Sequence, residues 1–203
     1  MDLLLVRHGR SVADDEQRIE GAGYDSPLTD KGVEQARKLA ARLQREGYEF
    51  NMLLSSPLAR AKRTAQIIAE ALGIDPTCDE RLAELHLGGL SGRPKGVDPY
   101  VEAARLAHVR FPEGESYLDQ IYRVTSFWME LQDRHPQDRI CVVAHGGTLN
   151  ILIRLILGLP MGSPYWHREG FRFHMGDTAI SRFVVNGPFD VVTHFINDSA
   201  HLR

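Results

Sequence analysis

Cysteine is scarce in this chain. Among 203 residues there are two, Cys78 and Cys141, which lie far apart and form no Cys-x-x-Cys pattern. Two isolated thiols exclude a disulfide framework, and they suit a protein of a reducing compartment. We interpret each as a small apolar packing residue rather than as a metal ligand or redox centre.

Long apolar runs and an excess of one charge are also missing. The apolar run at residues 3–6, LLLV, is far too short for a signal-peptide core or a membrane span, and no later run is long enough. The formal net charge of -3 gives no overall attraction to nucleic acid or to an anionic membrane. We therefore expect a cytoplasmic protein with neither as a partner, in which any anion site is a local concentration of basic groups.

The composition is otherwise ordinary. The apolar fraction of 43% and the charged fraction of 25% are typical of globular proteins. The chain is long enough to bury a sizeable core, and no repeat, low-complexity tract or shift in composition marks a linker. We expect residues 1–203 to form a single domain.

Strand and helix patterns alternate along the chain. Residues 3–6 and the segments NMLLSSP and RICVVAH are typical of short buried strands. The segment SPLTDKGVEQARKLAARLQREG predicts a helix capped by Thr29 and ended by Gly47. The segment LARAKRTAQIIAEALG predicts another, capped by Ser56 and ended by Gly73.

Further elements follow in the second half of the sequence. GESYLDQIYRVTSFWMELQDRH and residues 149–157 predict two more helices, and residues 95–112 predict a looser helical segment. AISRFVV and FDVVTHFI predict strands at the sheet's edge. The alternation predicts an α/β fold, namely a three-layer sandwich with a mostly parallel central sheet and helices on both faces.

Three of the predicted strands end in polar residues. The ends read Arg7-His8-Gly9, Ser55-Ser56-Pro57 and His145-Gly146-Gly147. In open α/β sheets the ligand crevice lies beyond the carboxyl ends of the strands. We therefore expect these three ends to meet and to line one site.

The basic side chains near these ends indicate phosphoryl chemistry. Arg7, Arg60, His8 and His145 would place two guanidinium groups and two imidazoles beside helix N-termini, which suits a dianion. One neutral imidazole could attack phosphorus, and the second, if protonated, would stabilise the developing charge. Glycines at positions 9, 146 and 147 would let the backbone approach the phosphate oxygens closely.

A leaving alkoxide also needs a proton donor. The segment DERLAELHLGGLSG offers Glu80 and Glu84, and the residue pattern alone leaves both open. The remaining histidines form no HxxxH or HExxH pattern, so we predict no metal site. These histidines are His86, His108, His135, His167, His174, His194 and His201.

Six segments in this order resemble a known family. VRHGRS, DSPLTDKGVEQA, LLSSPLARAKRTA, DERLAELHLGGLSG, FPEGESYLD and VVAHGGTL are similar to segments of the histidine phosphatase superfamily, in its phosphoglycerate-mutase-like branch. The resemblance extends from residue 3 to the last predicted strand, and it implies a phosphoglycerate-mutase-like fold.

The resemblance also implies roles for individual residues. It makes His8 the nucleophile and phosphohistidine carrier, and Glu84 the proton donor and later the base for water. Ser11 occupies the position whose hydroxyl touches the phosphate, and no metal or other cofactor is implied. The implied phosphate clamp consists of Arg7, Arg60 and His145.

The sequence departs from the family pattern near the expected pocket. Asp14 and Glu20 stand where relatives often carry asparagine and glutamine, one extra residue precedes DSPLT, and Leu90 replaces an aromatic residue. We expect Asp14, Glu20 and Gly146 to line the substrate pocket. Because two carboxylates would repel a phosphate dianion, we expect pairing with Arg10 or Arg18, a protonated carboxyl, or contact with a cationic part of the substrate.

We interpret the chain as a metal-independent phosphatase that hydrolyses small phosphomonoesters through a phosphohistidine. A phosphoglycerate mutase is the alternative, but mutases of this family typically carry an extra basic insertion after the proton-donor region, and here that region is short. A non-catalytic phosphate-binding regulatory relative is the third option. The expected partner is a small phosphorylated metabolite, while the substrate's identity and the oligomeric state, which includes a homodimer, stay open.

Overall fold

The computed structural model describes residues 1–96, 106–161, 173–187 and 190–203. Within these ranges the chain forms six strands and five α-helices. The strands are β1 (Asp2–Arg7), β2 (Met52–Ser55), β3 (Pro76–Cys78), β4 (Arg139–Ala144), β5 (Ile180–Gly187) and β6 (Asp190–Asp198). The helices are α1 (Val12–Asp15), α2 (Asp30–Arg45), α3 (Ala59–Leu72), α4 (Tyr117–Arg134) and α5 (Gly146–Ile156).

The strands form one sheet in the order β3-β2-β4-β1-β5-β6. The first four of these are parallel neighbours, whereas β5 and β6 are antiparallel and occupy one end of the sheet. The predicted mostly parallel sheet is therefore confirmed. The sequence analysis missed β3, a three-residue strand that carries no clear apolar pattern of its own.

Alternation along the buried strands sends side chains to two opposite layers of helices. Leu3 and Leu5 of β1 belong to a core cluster with α4 and α5. Leu4 and Val6 belong to a second cluster with α2 and α3. All four leucine and valine side chains are buried, so the sheet is covered on both faces and the three-layer prediction is confirmed.

The helix ends follow the sequence signals in most places. Thr29 caps α2 by accepting a hydrogen bond from Gly32 N at 3.1 Å, and Gly73 ends α3 in the left-handed conformation. The predicted start of α3 was wrong, because the helix begins at Ala59 after Leu58, which makes no side-chain cap. The Ser56 hydroxyl instead contacts a histidine at the sheet edge, as described below.

Other predicted helical segments differ in extent. The helix predicted at residues 149–157 begins three residues earlier, at Gly146. Residues 97–105 of the looser helical segment predicted at 95–112 lie outside the described residues, and the prediction was wrong for residues 106–112, which form turns and irregular structure. Among the residues that the structure describes, no helix is long and apolar enough to cross a membrane.

Candidate active site

The sheet register brings the two histidines together. Arg7, the last residue of β1, pairs with Ala144, the last residue of β4, so His8 and His145 follow at the same level. Their ring centroids lie 5.0 Å apart. The side chains are almost fully buried, at 3% and 1% exposure. The predicted meeting of the first and third strand ends is thus present in the structure.

His8 has one ring nitrogen engaged and one available. Its Nδ1 lies 2.7 Å from the carbonyl oxygen of Gly9. A carbonyl can only accept, so this bond assigns the proton to Nδ1 and leaves the lone pair on Nε2. Burial, together with the charges of Arg7 and Arg60, lowers the pKa of His8 to about 3. The imidazole is therefore neutral at physiological pH, which is the form that a nucleophile needs.

His145 is held by the second strand end. Its Nε2 lies 2.7 Å from the hydroxyl of Ser56, and that hydroxyl accepts from Leu58 N at 3.3 Å. We take the Ser56 hydroxyl as the donor to His145 Nε2, which places the imidazole proton on Nδ1. Burial, followed by the charges of Arg60 and His8, lowers the pKa of His145 well below its ordinary value. A protonated second imidazole is thus not the form that this unliganded site favours.

Both arginines have N–H groups that make no hydrogen bond within the described residues. Arg7 donates from Nη1 to Met175 O at 2.7 Å, and Arg60, only 1% exposed, donates from Nη2 to Gly21 O at 3.3 Å. Within the described part of the chain, Arg7 Nε, Arg60 Nε and Arg60 Nη1 are buried without a hydrogen-bond partner, and so is His145 Nδ1. Buried donors of this kind are costly unless something accepts from them.

Sequence analysis missed the residues that hold Arg7 in place. Asp177 Oδ1 lies 3.3 Å from Arg7 Nη1, and Met175 supplies the accepting carbonyl. Both lie on the loop before β5, far from Arg7 in the sequence. The loop reaches the site because Thr178 N donates to His8 O at 3.2 Å. No local sequence pattern marks such a partner.

Glu84, and not Glu80, lies beside the end of β4. One carboxylate oxygen of Glu84 accepts from Gly147 N at 2.8 Å, and the other accepts from Leu85 N at 3.0 Å and Gln120 Nε2 at 2.8 Å. Glu80 is exposed at the start of a short 3-10 turn. Gln120 was also missed, although a buried polar residue on the apolar face of α4 is a readable signal.

The glycines at the strand ends serve different neighbours. A Cβ at Gly9 would lie 2.5 Å from the carbonyl oxygen of Gly32, so Gly9 permits close packing on α2. A Cβ at Gly147 would lie 2.5 Å from Glu84 Oε1. No described atom lies within 4 Å of a Cβ built at Gly146, so the expected approach to phosphate remains a prediction for that glycine.

The predicted pairing of the pocket carboxylates with Arg10 or Arg18 was wrong. Arg10 contacts Asp15 and Asp177, and Arg18 contacts Glu16. Asp14 instead lies 4.0 Å from Arg7 Nη2, and Glu20 lies 3.3 Å from Arg60 Nε. The other ionic neighbour of Asp14 is Lys95, at 3.9 Å. The carboxylates therefore face the same arginines that were expected to bind phosphate.

Ser11 connects the two carboxylates. It caps α1, and its hydroxyl oxygen lies 3.1 Å from Asp14 Oδ2 and 3.1 Å from Glu20 Oε2.

All the residues predicted for the site are thus gathered around the ends of β1, β2 and β4. Among the described residues, no group of three or more histidine, cysteine, aspartate and glutamate side chains is placed to hold a metal ion.

Known proteins resemble this chain in sequence and fold. A protein of Escherichia coli O1:K1 named probable phosphoglycerate mutase GpmB is 38% identical over 169 residues, covering 79% of this chain and 76% of that protein. The structure of a putative alpha-ribazole-5'-P phosphatase from Escherichia coli K-12 is 28% identical, with a TM-score of 0.84, and the match covers 98% of this chain and 97% of that one.

A second solved structure is also similar over nearly the whole chain. The mycobacterial glucosyl-3-phosphoglycerate phosphatase in complex with VO3 is 26% identical with a TM-score of 0.79, and the match covers 97% of this chain and 98% of that one. The sequence profile of the histidine phosphatase superfamily, branch 1, matches residues 3–197. The fold, the order of the site residues along the chain and this match together show that the chain belongs to the histidine phosphatase superfamily.

Proposed function

We propose that this protein is a metal-independent phosphatase that hydrolyses small phosphomonoesters through a phosphohistidine at His8. One observation carries the proposal. A neutral imidazole with a free Nε2 lies among buried nitrogens of Arg7, Arg60 and His145 that make no hydrogen bond within the described residues. Phosphoryl oxygens are acceptors that match such donors, and the lone pair on Nε2 supplies the nucleophile.

The first half of the reaction transfers the phosphoryl group to the protein. Nε2 of His8 attacks phosphorus, and the bond between phosphorus and the leaving oxygen breaks. Glu84 gives a proton to that oxygen, so the product leaves as a neutral alcohol. Arg7 and Arg60 bind the equatorial oxygens, and the Nδ1–H of His145 and the hydroxyl of Ser11 donate to the same group.

The second half returns the site to its starting state. Glu84, now ionised, takes a proton from water as the water oxygen attacks phosphorus. The bond between phosphorus and His8 Nε2 breaks, and inorganic phosphate leaves. Glu84 is protonated again and His8 is neutral, so protons and electron pairs balance over the cycle.

A mutase is the competing candidate, because the relative at 38% identity is named a probable phosphoglycerate mutase. A mutase shares the first half-reaction and differs in the acceptor, which is a second hydroxyl instead of water. Two observations support the phosphatase. The structurally similar proteins with 28% and 26% identity are named phosphatases. In addition, the chain has no long basic insertion after Glu84.

The assay that tests the function follows phosphate release without added metal. Protein treated with EDTA should release phosphate from p-nitrophenyl phosphate and from a panel of small metabolite phosphomonoesters, because the two arginines supply the positive charge and the neutral imidazole of His8 supplies the nucleophile. Phosphorus NMR on 3-phosphoglycerate identifies the acceptor. Conversion to 2-phosphoglycerate without free phosphate would indicate a mutase, and a need for added metal would contradict metal independence. Failure on every substrate would favour a non-catalytic regulatory relative.

A further inference from the structure

The two arginines at the centre of the candidate phosphate pocket face four carboxylates. Arg7 and Arg60 carry the positive charge at its centre, and both histidines are neutral in the unliganded site. The carboxylates that lie within 4.0 Å of these arginines are Asp14, Glu20, Asp25 and Asp177. Arg10 and Lys95 lie 3.9 Å from Asp177 and Asp14 respectively, which leaves Glu20 and Asp25 to share Arg60 with a phosphoryl dianion, so a proton taken up by one of these two carboxyls would favour binding.

The hydrogen bonds of Ser11 indicate which carboxyl can take up a proton. Its hydroxyl has one hydrogen but lies 3.1 Å from a carboxylate oxygen of both Asp14 and Glu20. Asp14 Oδ2 also accepts from Ser11 N at 3.3 Å, as the second half of the capping box on α1. If the hydroxyl hydrogen completes the contact to Asp14, the contact from Ser11 to Glu20 has a hydrogen only when Glu20 is protonated.

The surroundings of the two carboxyls also favour Glu20 over Asp14 as the protonated group. The Ser11 backbone N–H and Arg7 outweigh the effect of burial and lower the pKa of Asp14, so Asp14 stays ionised. Burial dominates at Glu20 and raises the pKa of that carboxyl, even though Arg60 and the hydroxyls of Ser26 and Ser11 oppose the shift. Arg60 Nε lies 3.3 Å from Glu20 Oε2 but makes no hydrogen bond to it.

We propose that the pocket binds a phosphoryl group together with one proton, which resides on Glu20, so that this carboxyl is neutral, donates to the Ser11 hydroxyl and does not repel the anion. The inference rests on the proposed function, since it concerns the same phosphate pocket. Glu20 qualifies because it is half-buried and adjacent to the unpartnered N–H groups of Arg60. The proton comes from solvent with a dianion, or arrives with a monoanion, and the two routes are thermodynamically the same.

The direction of the pH dependence follows from linkage. An anion beside Glu20 raises its pKa, so anion binding is favoured at low pH and is lost as pH rises through the pKa of the bound state. Between the free and bound pKa values the affinity should fall about tenfold per pH unit. Among the described residues, the charged and titratable groups that face Glu20 or its partner Arg60 are His8, Asp14, Asp25, Arg60, Glu84 and His145.

The test uses sulfate, which stays a dianion between pH 5 and pH 8, so the ligand itself does not titrate. Isothermal titration calorimetry in two buffers of different ionisation enthalpy gives both the affinity and the number of protons taken up. The wild-type protein should take up about one proton per sulfate in the range where its affinity falls with pH. Glu20→Gln keeps the side-chain shape and a donor N–H but cannot titrate, so it should take up none and show a flat profile.

Asp14→Asn is the matched control, because it removes the neighbouring carboxylate and should keep the wild-type proton uptake. Unchanged uptake in Glu20→Gln would assign the proton to another group and overturn the inference, as would an absence of uptake in the wild-type protein. Infrared difference spectra provide a reading that needs no variant. Sulfate should generate the C=O band of a protonated carboxyl, and its absence would overturn the inference. Sulfate binding to none of the proteins at any pH would instead contradict the phosphate pocket itself.

Discussion

His8→Ala is expected to abolish turnover, with a fall in kcat on the order of 10⁴-fold or more, which is the scale for loss of a covalent nucleophile. The reason is that His8 Nε2 has a free lone pair beside Arg7 and Arg60, whereas His145 Nε2 contacts the Ser56 hydroxyl. The measurement is kcat on p-nitrophenyl phosphate, with circular dichroism to verify the fold.

A remote histidine provides the control for this variant. His135 ends α4, where it contacts Asp138 at 2.8 Å, away from the strand ends that form the site. His135→Ala should keep wild-type turnover. A kcat of His8→Ala close to that of the wild-type protein would require a different nucleophile and would remove the phosphohistidine from the mechanism.

Glu84→Gln is expected to slow substrates with poor leaving groups much more than those with good ones. For alkyl phosphates the fall should be on the order of 10²–10⁴-fold, because the departing alkoxide needs a proton in the transition state. Nitrophenolate leaves without one, so the first step with p-nitrophenyl phosphate should be nearly unaffected. The measurement is the ratio of kcat/KM for the two substrate types, which reports the first step alone.

Gly147→Ala tests the same role without changing the carboxyl group. The new Cβ would lie 2.5 Å from Glu84 Oε1, so the carboxyl group would have to move away. Gly147 N would still need an acceptor for its hydrogen bond. The variant should fold, and its kcat/KM should fall selectively for alkyl phosphates, by a smaller factor than in Glu84→Gln. Glu80→Gln is the matched control, because Glu80 is exposed. An equal loss for both substrate types in Glu84→Gln would show that Glu84 is not the acid, and a selective loss in Glu80→Gln would assign that role to Glu80.

Much of the fold could be predicted because the signals were local. Buried strands such as residues 3–6 read as unbroken apolar runs, and Thr29 and Gly73 lie at helix ends where their side chain or backbone is suited to the position. Ser56 shows the limit of such reasoning. A serine before a proline can cap a helix, but this hydroxyl contacts His145, which lies 89 residues further along the chain.

The clustering of the candidate site residues could be predicted, but the contacts between them could not. The order of strand ends was enough to bring His8, His145 and Arg60 to one edge of the sheet. The partners that set charge and orientation come from distant loops, as Asp177 does for Arg7. The pairing of Glu20 with Arg60 instead of Arg10 or Arg18 depends on which way each side chain points, and no spacing in the sequence encodes that.

The most direct test of the proposed mechanism is to locate the phosphoryl group on the protein during turnover. Rapid quenching with a phosphate-labelled substrate, followed by peptide mapping under alkaline conditions, should place acid-labile label on the peptide that contains His8. The label should be absent in His8→Ala and should accumulate when the second step is slowed in Glu84→Gln with p-nitrophenyl phosphate. Acid-stable label on a serine, or turnover by the wild-type protein with no labelled protein at any time, would contradict the phosphohistidine mechanism.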